Sequence, residues 1–156
     1  MTVGAVQSDA ATAEFLAGTA RGELLLRHCA ACGAFSRPQA QSCEQCQSAD
    51  LTWARACGQG TVVSWSVVHG RAAGGGPPPR TVVAIVELDE GPWLHAQLAD
   101  AEPGTLSGDP ASPDPAGLDP GSPDPGSPRP ADGGLRVTAS FERAPGGEAI
   151  PVFRPA

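Results

Sequence analysis

The sequence contains no lysine, no asparagine and no tyrosine. Ten arginines stand against 17 acidic residues, for a formal charge of −7. A nucleic-acid-binding surface ordinarily presents a basic face, so this balance argues against one. No apolar run approaches the roughly 18 residues that a membrane-spanning helix requires, which predicts a soluble protein. The opening stretch MTVGAVQSDA lacks the basic and apolar regions of a secretory leader, so a cytoplasmic location is expected. Also missing are G-x-S-x-G, the glycine fingerprints of nucleotide-binding loops, and H-E-x-x-H. No recognisable motif places a pair of carboxylates, and no catalytic residue is expected. The missing lysine, beside abundant Ala, Gly, Pro and Arg, suggests GC-rich coding and says little about function.

Cysteine, by contrast, is concentrated. Four of the five cysteines fall within 18 residues, as Cys29-Ala30-Ala31-Cys32 and Cys43-Glu44-Gln45-Cys46 with ten residues between the pairs. Each C-x-x-C curls the backbone so that two thiolates face one point, and two such knuckles supply the tetrahedral sulfur set that zinc prefers. Gly33, directly after Cys32, suits the positive φ that such a turn often needs. With four protein ligands no coordination position stays open, so the metal folds the module and catalyses nothing. Iron in a rubredoxin-like site is the competing assignment, because sulfur ligation suits both metals. A cysteine-rich cluster without a leader also fits a reducing compartment better than a disulfide framework.

The other candidate residues have plainer readings beside the functional ones. Cys57 reads as a free thiol, since nothing in the sequence supplies a base for a nucleophile. His28 abuts a ligand set that is already full; His69 and His95 fall on strands and read first as surface histidines. Trp53, Trp65 and Trp93 are suited to stacking a base or an adenine ring, but in a chain without tyrosine they are also the large core pieces. Arg55, Arg71 and Arg80 flank the strand region and are suited to phosphates. As a ligand-binding set the sequence nominates Arg55, Trp65, His69, Arg71 and Arg80.

The chain divides by composition. Residues 1–11 read as a disordered tail. A short helix is expected over 12–20, with Thr12 as N-cap and Gly22 as stop, docking on a partner or on the rest of the chain. Leu24–Leu26 leads into the cysteines as a short strand. Strands are then expected at Thr61–His69, Thr81–Leu88, Pro92–Leu98, Leu135–Glu142 and Ala149–Phe153, from their β-branched content and bounding turns. Five short strands suit a small, partly open barrel. Between the third and fourth lies a 26-residue segment, 108–133, with eight Pro, five Gly and five Asp. Such a composition buries little and predicts a disordered, solvated insert. It carries −4 of the net charge, leaving about −3 on the rest, which weakens the argument against nucleic acid.

The order of parts resembles a known family. The four-cysteine ribbon is followed by Gly58-Gln59-Gly60-Thr61-Val62-Val63-Ser64, then Val86-Glu87-Leu88-Asp89-Glu90-Gly91, then Pro151-Val152-Phe153-Arg154-Pro155. This run is similar to the acyl-CoA-associated OB-fold family, long catalogued as a domain of unknown function, over about residues 12–107 and 134–156. The resemblance implies a small mainly-β protein: a short N-terminal helix and rubredoxin-like zinc ribbon (12–56), followed by a five-stranded OB-fold barrel domain (57–156) with a disordered Pro/Gly/Asp-rich insert. It further implies a non-catalytic accessory subunit that binds or positions acyl-CoA for a thiolase-like or hot-dog-fold enoyl-CoA hydratase partner, in lipid metabolism. A nucleic-acid-binding ribbon and barrel, or a ligand-free scaffold subunit, are the alternatives. The chain departs from the family pattern at the thinned segment Arg37-Pro38-Gln39-Ala40-Gln41-Ser42, at Glu44 where proline is common, at Cys57 where a small polar residue is usual, and at the insert.

Overall fold

The computed structural model describes residues 5–72, 74–101, 106 and 134–156; the insert expected at 108–133 lies outside them. Helix α1 spans Ala13–Ala20, followed by strands β1 (Leu25–Cys29), β2 (Phe35–Ser36), β3 (Leu51–Arg55), β4 (Gln59–His69), β5 (Arg80–Leu88), β6 (Trp93–Leu98), β7 (Arg136–Arg143) and β8 (Ala149–Pro155).

The helix is where expected, but its start is built differently. Thr12 makes no side-chain cap bond to the helix. Asp9 supplies the capping instead: its Oδ1 accepts from the Ala11 and Thr12 backbone N–H groups at 3.0 and 2.9 Å and from the Thr12 hydroxyl at 2.7 Å. Three turn donors favour an ionised Asp9, whose carboxyl is held below its usual range chiefly by the Thr12 hydroxyl. The helix ends as expected at Gly22 (φ 78°), where the N–H groups of Glu23 and Gly22 return to the carbonyls of Gly18 and Thr19 at 2.9 and 3.0 Å, the paired bonds of a Schellman end. The helix docks on its own chain: buried Thr19 places its hydroxyl 2.6 Å from the Ala149 carbonyl. Residues of the expected tail are also tied down, with the Glu148 N–H donating to the Val6 carbonyl at 2.8 Å and the Gln7 amide to the Gly146 carbonyl at 2.8 Å. These long-range bonds order a segment whose local composition carries no structural signal.

Strands β1–β3 form an antiparallel sheet in the order β2-β1-β3, with Leu25 opposite Arg55 and Cys29 opposite Leu51. The remaining five close into a barrel in the order β4-β5-β6-β8-β7. That is the Greek-key order of an OB fold. The barrel was expected to be partly open; it closes because β4 bends. A register shift between Val62 and Ser64 re-aims the strand, so that Gln59–Thr61 pairs with β7 while Gly60–His69 pairs with β5. Gly60 sits at this double contact, where a Cβ would come within 2.6 Å of the Glu87 carbonyl oxygen. Two parallel rungs, Gln97 to Val152 and Leu98 to Phe153, complete the circuit.

Alternation decides the faces. On β5 Val82, Ala84, Val86 and Leu88 point inward and are buried, with Thr81, Val83, Ile85 and Glu87 half-buried on the outside. Leu24, Leu26 and Ala56 of the ribbon share one core with Val86, Leu88, Val137 and Phe153 of the barrel. Ribbon and barrel therefore bury one another.

Candidate metal centre and ligand surface

The two knuckles are built alike. Gly33 and Gln47 donate their N–H groups to the carbonyls of Cys29 and Cys43 at 2.9 and 3.0 Å, and the N–H groups of Cys29 and Cys43 donate to Ala34 and Ser48 at 2.9 and 2.8 Å. Both residues after the knuckles take a left-handed backbone, Gly33 at φ 76° and Gln47 at φ 62°. Glycine carries this at low cost and glutamine does not. The four sulfurs of Cys29, Cys32, Cys43 and Cys46 lie within 4.8 Å of one another, with Cys29 to Cys46 at 3.6 Å and Cys32 to Cys43 at 3.5 Å. A tetrahedron with Zn–S bonds of about 2.3 Å has edges of about 3.8 Å, so the sulfur cage fits zinc.

The electrostatics agree with the geometry. Four sulfurs this close do not all ionise without a cation. Backbone N–H groups of Cys46 and Gln45 favour the Cys43 thiolate and bring it down to about 6. At Cys32 the Ala34 N–H also favours the thiolate, but the Cys43 sulfur, with partial desolvation and the remaining sulfurs, outweighs it and pushes the thiol up to about 12. A divalent cation removes that conflict. Cys29 and Cys43 are buried, Cys32 and Cys46 exposed, so the centre has one face on the core and one on solvent. Glu44 forms an ion pair with Arg37 at 2.7 Å across the thinned segment.

The nominated ligand residues separate into groups. Arg55 is exposed at the end of β3, beside the start of β4. Trp65 is half-buried against the core from β4. His69, Arg71 and Arg80 come together at the far end of the β4–β5 hairpin, where His69 pairs with Arg80 and the Gly70 N–H donates to the Pro79 carbonyl at 2.8 Å. The three tryptophans form no common platform: Trp53 lies under the Arg27 guanidinium at 4.6 Å, Trp65 faces the core, and Trp93 is 50% exposed on β6. His28 packs edge-on against Phe35 at 5.0 Å. His95 lines a groove of about 480 Å³ on the outer face of β4–β6 with Ser64, Ser66, Val83 and Ile85.

One junction escapes sequence reasoning. The Cys57 N–H donates to Glu90 Oε1 at 2.6 Å, which ties the ribbon-to-barrel link to the β5–β6 turn. Beside it, Arg136 makes two bonds to Asp89, at 2.7 and 2.9 Å. Partial desolvation at the junction, followed by the neighbouring Glu90, pushes the thiol of the exposed Cys57 above its ordinary range. The acidic turn Asp89-Glu90-Gly91 was visible in the sequence; its partners, 33 and 47 positions away, were not.

Two family models cover adjacent parts of the chain. The ChsH2 rubredoxin-like zinc ribbon domain matches residues 16–52, and the ChsH2 C-terminal OB-fold domain matches residues 53–113. The chain belongs to the ChsH2-type zinc-ribbon and OB-fold family. The zinc of this family's ribbon is structural, in keeping with the closed four-sulfur cage. A "DUF35 domain-containing scaffold protein" of Pyrococcus furiosus is 33% identical over 66 residues, which are 42% of this chain and 48% of that protein. The match thus spans about half the length of that relative. A chain of the solved structure described as the "Ltp2-ChsH2(DUF35) aldolase" superposes with a TM-score of 0.67 at 25% identity, over 95% of this chain and 96% of that one. A DUF35-family protein of unknown function from Sulfolobus solfataricus shares the fold, with a TM-score of 0.52 at 12% identity over 96% and 87% of the two chains.

Proposed function

We propose that this chain is a non-catalytic accessory subunit that binds or positions acyl-CoA for a thiolase-like or enoyl-CoA-hydratase-type enzyme. The observation that carries the reading is the near full-length likeness to a chain of the Ltp2-ChsH2(DUF35) aldolase structure. Zinc in a four-sulfur cage has no open position for substrate, so the metal's part is to fold the ribbon. Cys29, Cys32, Cys43 and Cys46 are its ligands. The reacting groups then belong to the partner, and this chain contributes surface. Co-purification from the native host, followed by assay of the partner enzyme with and without this subunit, tests the proposal. The expected result is association with an acyl-CoA enzyme whose activity falls when the subunit is omitted. Normal activity without association overturns it.

A ligand-free scaffold is the second reading, favoured by the name of the Pyrococcus furiosus relative. It differs in one measurement: the affinity of the assembled complex for acyl-CoA is then unchanged by charge substitutions on this chain.

A further inference from the structure

We infer that the tip of the β4–β5 hairpin, formed by His69, Arg71 and Arg80, is a phosphate-binding site that takes the nucleotide end of an acyl-CoA. The inference rests on the proposed function for the identity of the ligand, and on three observations for the site. First, the chain carries a net charge of −7, yet no acidic residue occurs from Thr61 to Val86. Second, of the seven other arginines among the described residues, Arg21, Arg37, Arg136 and Arg154 each meet a carboxylate and Arg27 lies over Trp53, which leaves Arg55 and Arg143 as isolated exposed arginines on other elements. Arg71, Arg80 and His69 are exposed and meet no carboxylate among the described residues. Third, the register sets His69 directly opposite Arg80, and side chains so paired start about 5 Å apart.

Arg80 stands opposite His69 on the last rung and Arg71 follows two residues after His69, so one short stretch of hairpin carries three N–H-bearing side chains. Without an anion the two arginine charges repel. Phosphate satisfies both, because guanidinium presents a planar fork that matches its oxygens. The hairpin also projects. β7 leaves β4 at Thr61, and the last rungs, from Val68 (50% exposed) onward, run past the core. A cationic tip on a projecting arm is placed to reach a ligand seated in a neighbouring enzyme. An acyl-CoA offers several phosphates at one end and its thioester far away at the other, so the tip would hold the head and leave the reacting end free.

The test is an amide-shift titration of the full zinc-loaded chain at low salt, with CoA, pantetheine and inorganic phosphate as probes. CoA is expected to move the amides of residues 68–71 and 80–81. Arg71→Glu/Arg80→Glu is expected to weaken CoA binding at least tenfold, with Arg143→Glu, another exposed arginine, close to wild type. Unchanged spectral dispersion and zinc content show that the variants remain folded. Pantetheine, without phosphates, is expected to leave the tip unmoved, and millimolar inorganic phosphate is expected not to displace CoA. CoA shifts that map elsewhere, CoA binding untouched by the double charge reversal, no shift at millimolar CoA, or full displacement by phosphate overturns the inference. So does a double variant that binds CoA normally but no longer associates with its partner enzyme, since the tip then grips protein. Failure here with partner activity still dependent on this subunit removes the site and leaves the function standing; CoA binding at the tip without any acyl-CoA enzyme co-purifying does the reverse.

Discussion

Removing the zinc should unfold more than the ribbon. Leu24 and Leu26 flank the first knuckle, are 2% and 0% exposed, and belong to the same core as Val86, Leu88 and Phe153 of the barrel. If the ribbon opens, those two leucines leave the barrel's base. Each fully buried leucine contributes about 2 kcal/mol, so the barrel loses about 4 kcal/mol of burial in addition to the metal's own binding energy. Net stabilities of small domains are only about 5–15 kcal/mol, so the loss is a large fraction of the total. The expected outcome is that chelation, or Cys43→Ser, destabilises the barrel itself. Two-dimensional NMR of Val86 and Phe153 during chelator titration reads the barrel directly, with a zinc indicator following metal release. About one zinc per chain should be released, Cys57→Ser should retain it, and the barrel signals should collapse with the metal. A barrel that keeps its native shifts and its unfolding midpoint after complete metal release would refute the shared-core argument.

Other expectations follow from single contacts. Gln47→Gly relieves a left-handed glutamine at the second knuckle and should stabilise the zinc-loaded protein by about 0.5–1 kcal/mol, measured as a raised denaturant midpoint. Thr19→Val keeps the shape of a buried side chain but leaves the Ala149 carbonyl without its 2.6 Å partner; the cost should be about 2 kcal/mol, or a fall in Tm of about 4–8 °C for a chain of this size. Two bonds from Arg136 hold the Asp89 carboxyl below its usual range. The pair therefore adds stability above the ordinary carboxylate value of about 4, and that contribution fades as the pH falls through the lower folded value. Asp89→Asn should accordingly be less stable than wild type at neutral pH and converge with it in acid, as read from urea midpoints across that range; a constant difference would place the effect outside the ion pair.

The parts of this fold that could be read in advance are those whose signal is local. β5 (T-V-V-A-I-V-E-L) is legible from its β-branched content and bounding turns, whereas the choice of Val82, Ala84 and Val86 as its inward residues is not, because apolar residues fall on both faces. The C-x-x-C spacings likewise bring sulfurs together within one turn each. β2, two residues long, and β3, Leu51–Arg55, were not anticipated. Their strand character comes from pairing with β1 and leaves no pattern of its own. Barrel closure was missed for the same reason, since it depends on the bend in β4 and on two rungs between β6 and β8. Asp9 was overlooked as the helix cap because it lies in a stretch whose composition resembles a tail.

Arg55 shows why the ligand set could not be sorted in advance. In sequence it is nearly as close to His69 as Arg80 is. In space β4 begins just after Arg55 and runs eleven residues to His69, which puts roughly 30 Å of strand between them, whereas the hairpin brings Arg80 directly opposite His69. The ribbon, whose last strand ends at Arg55, and the hairpin tip thus lie at opposite ends of β4. This separation assigns them different failures. Substitution of a zinc ligand loosens the core at the start of β4 and should abolish folding and binding together. Charge reversal at Arg71 and Arg80 touches only exposed side chains beyond the core, and should abolish binding with metal content and stability intact. Loss of zinc on altering the tip would mean that the strand transmits strain along its length, and that ribbon and hairpin act as one unit.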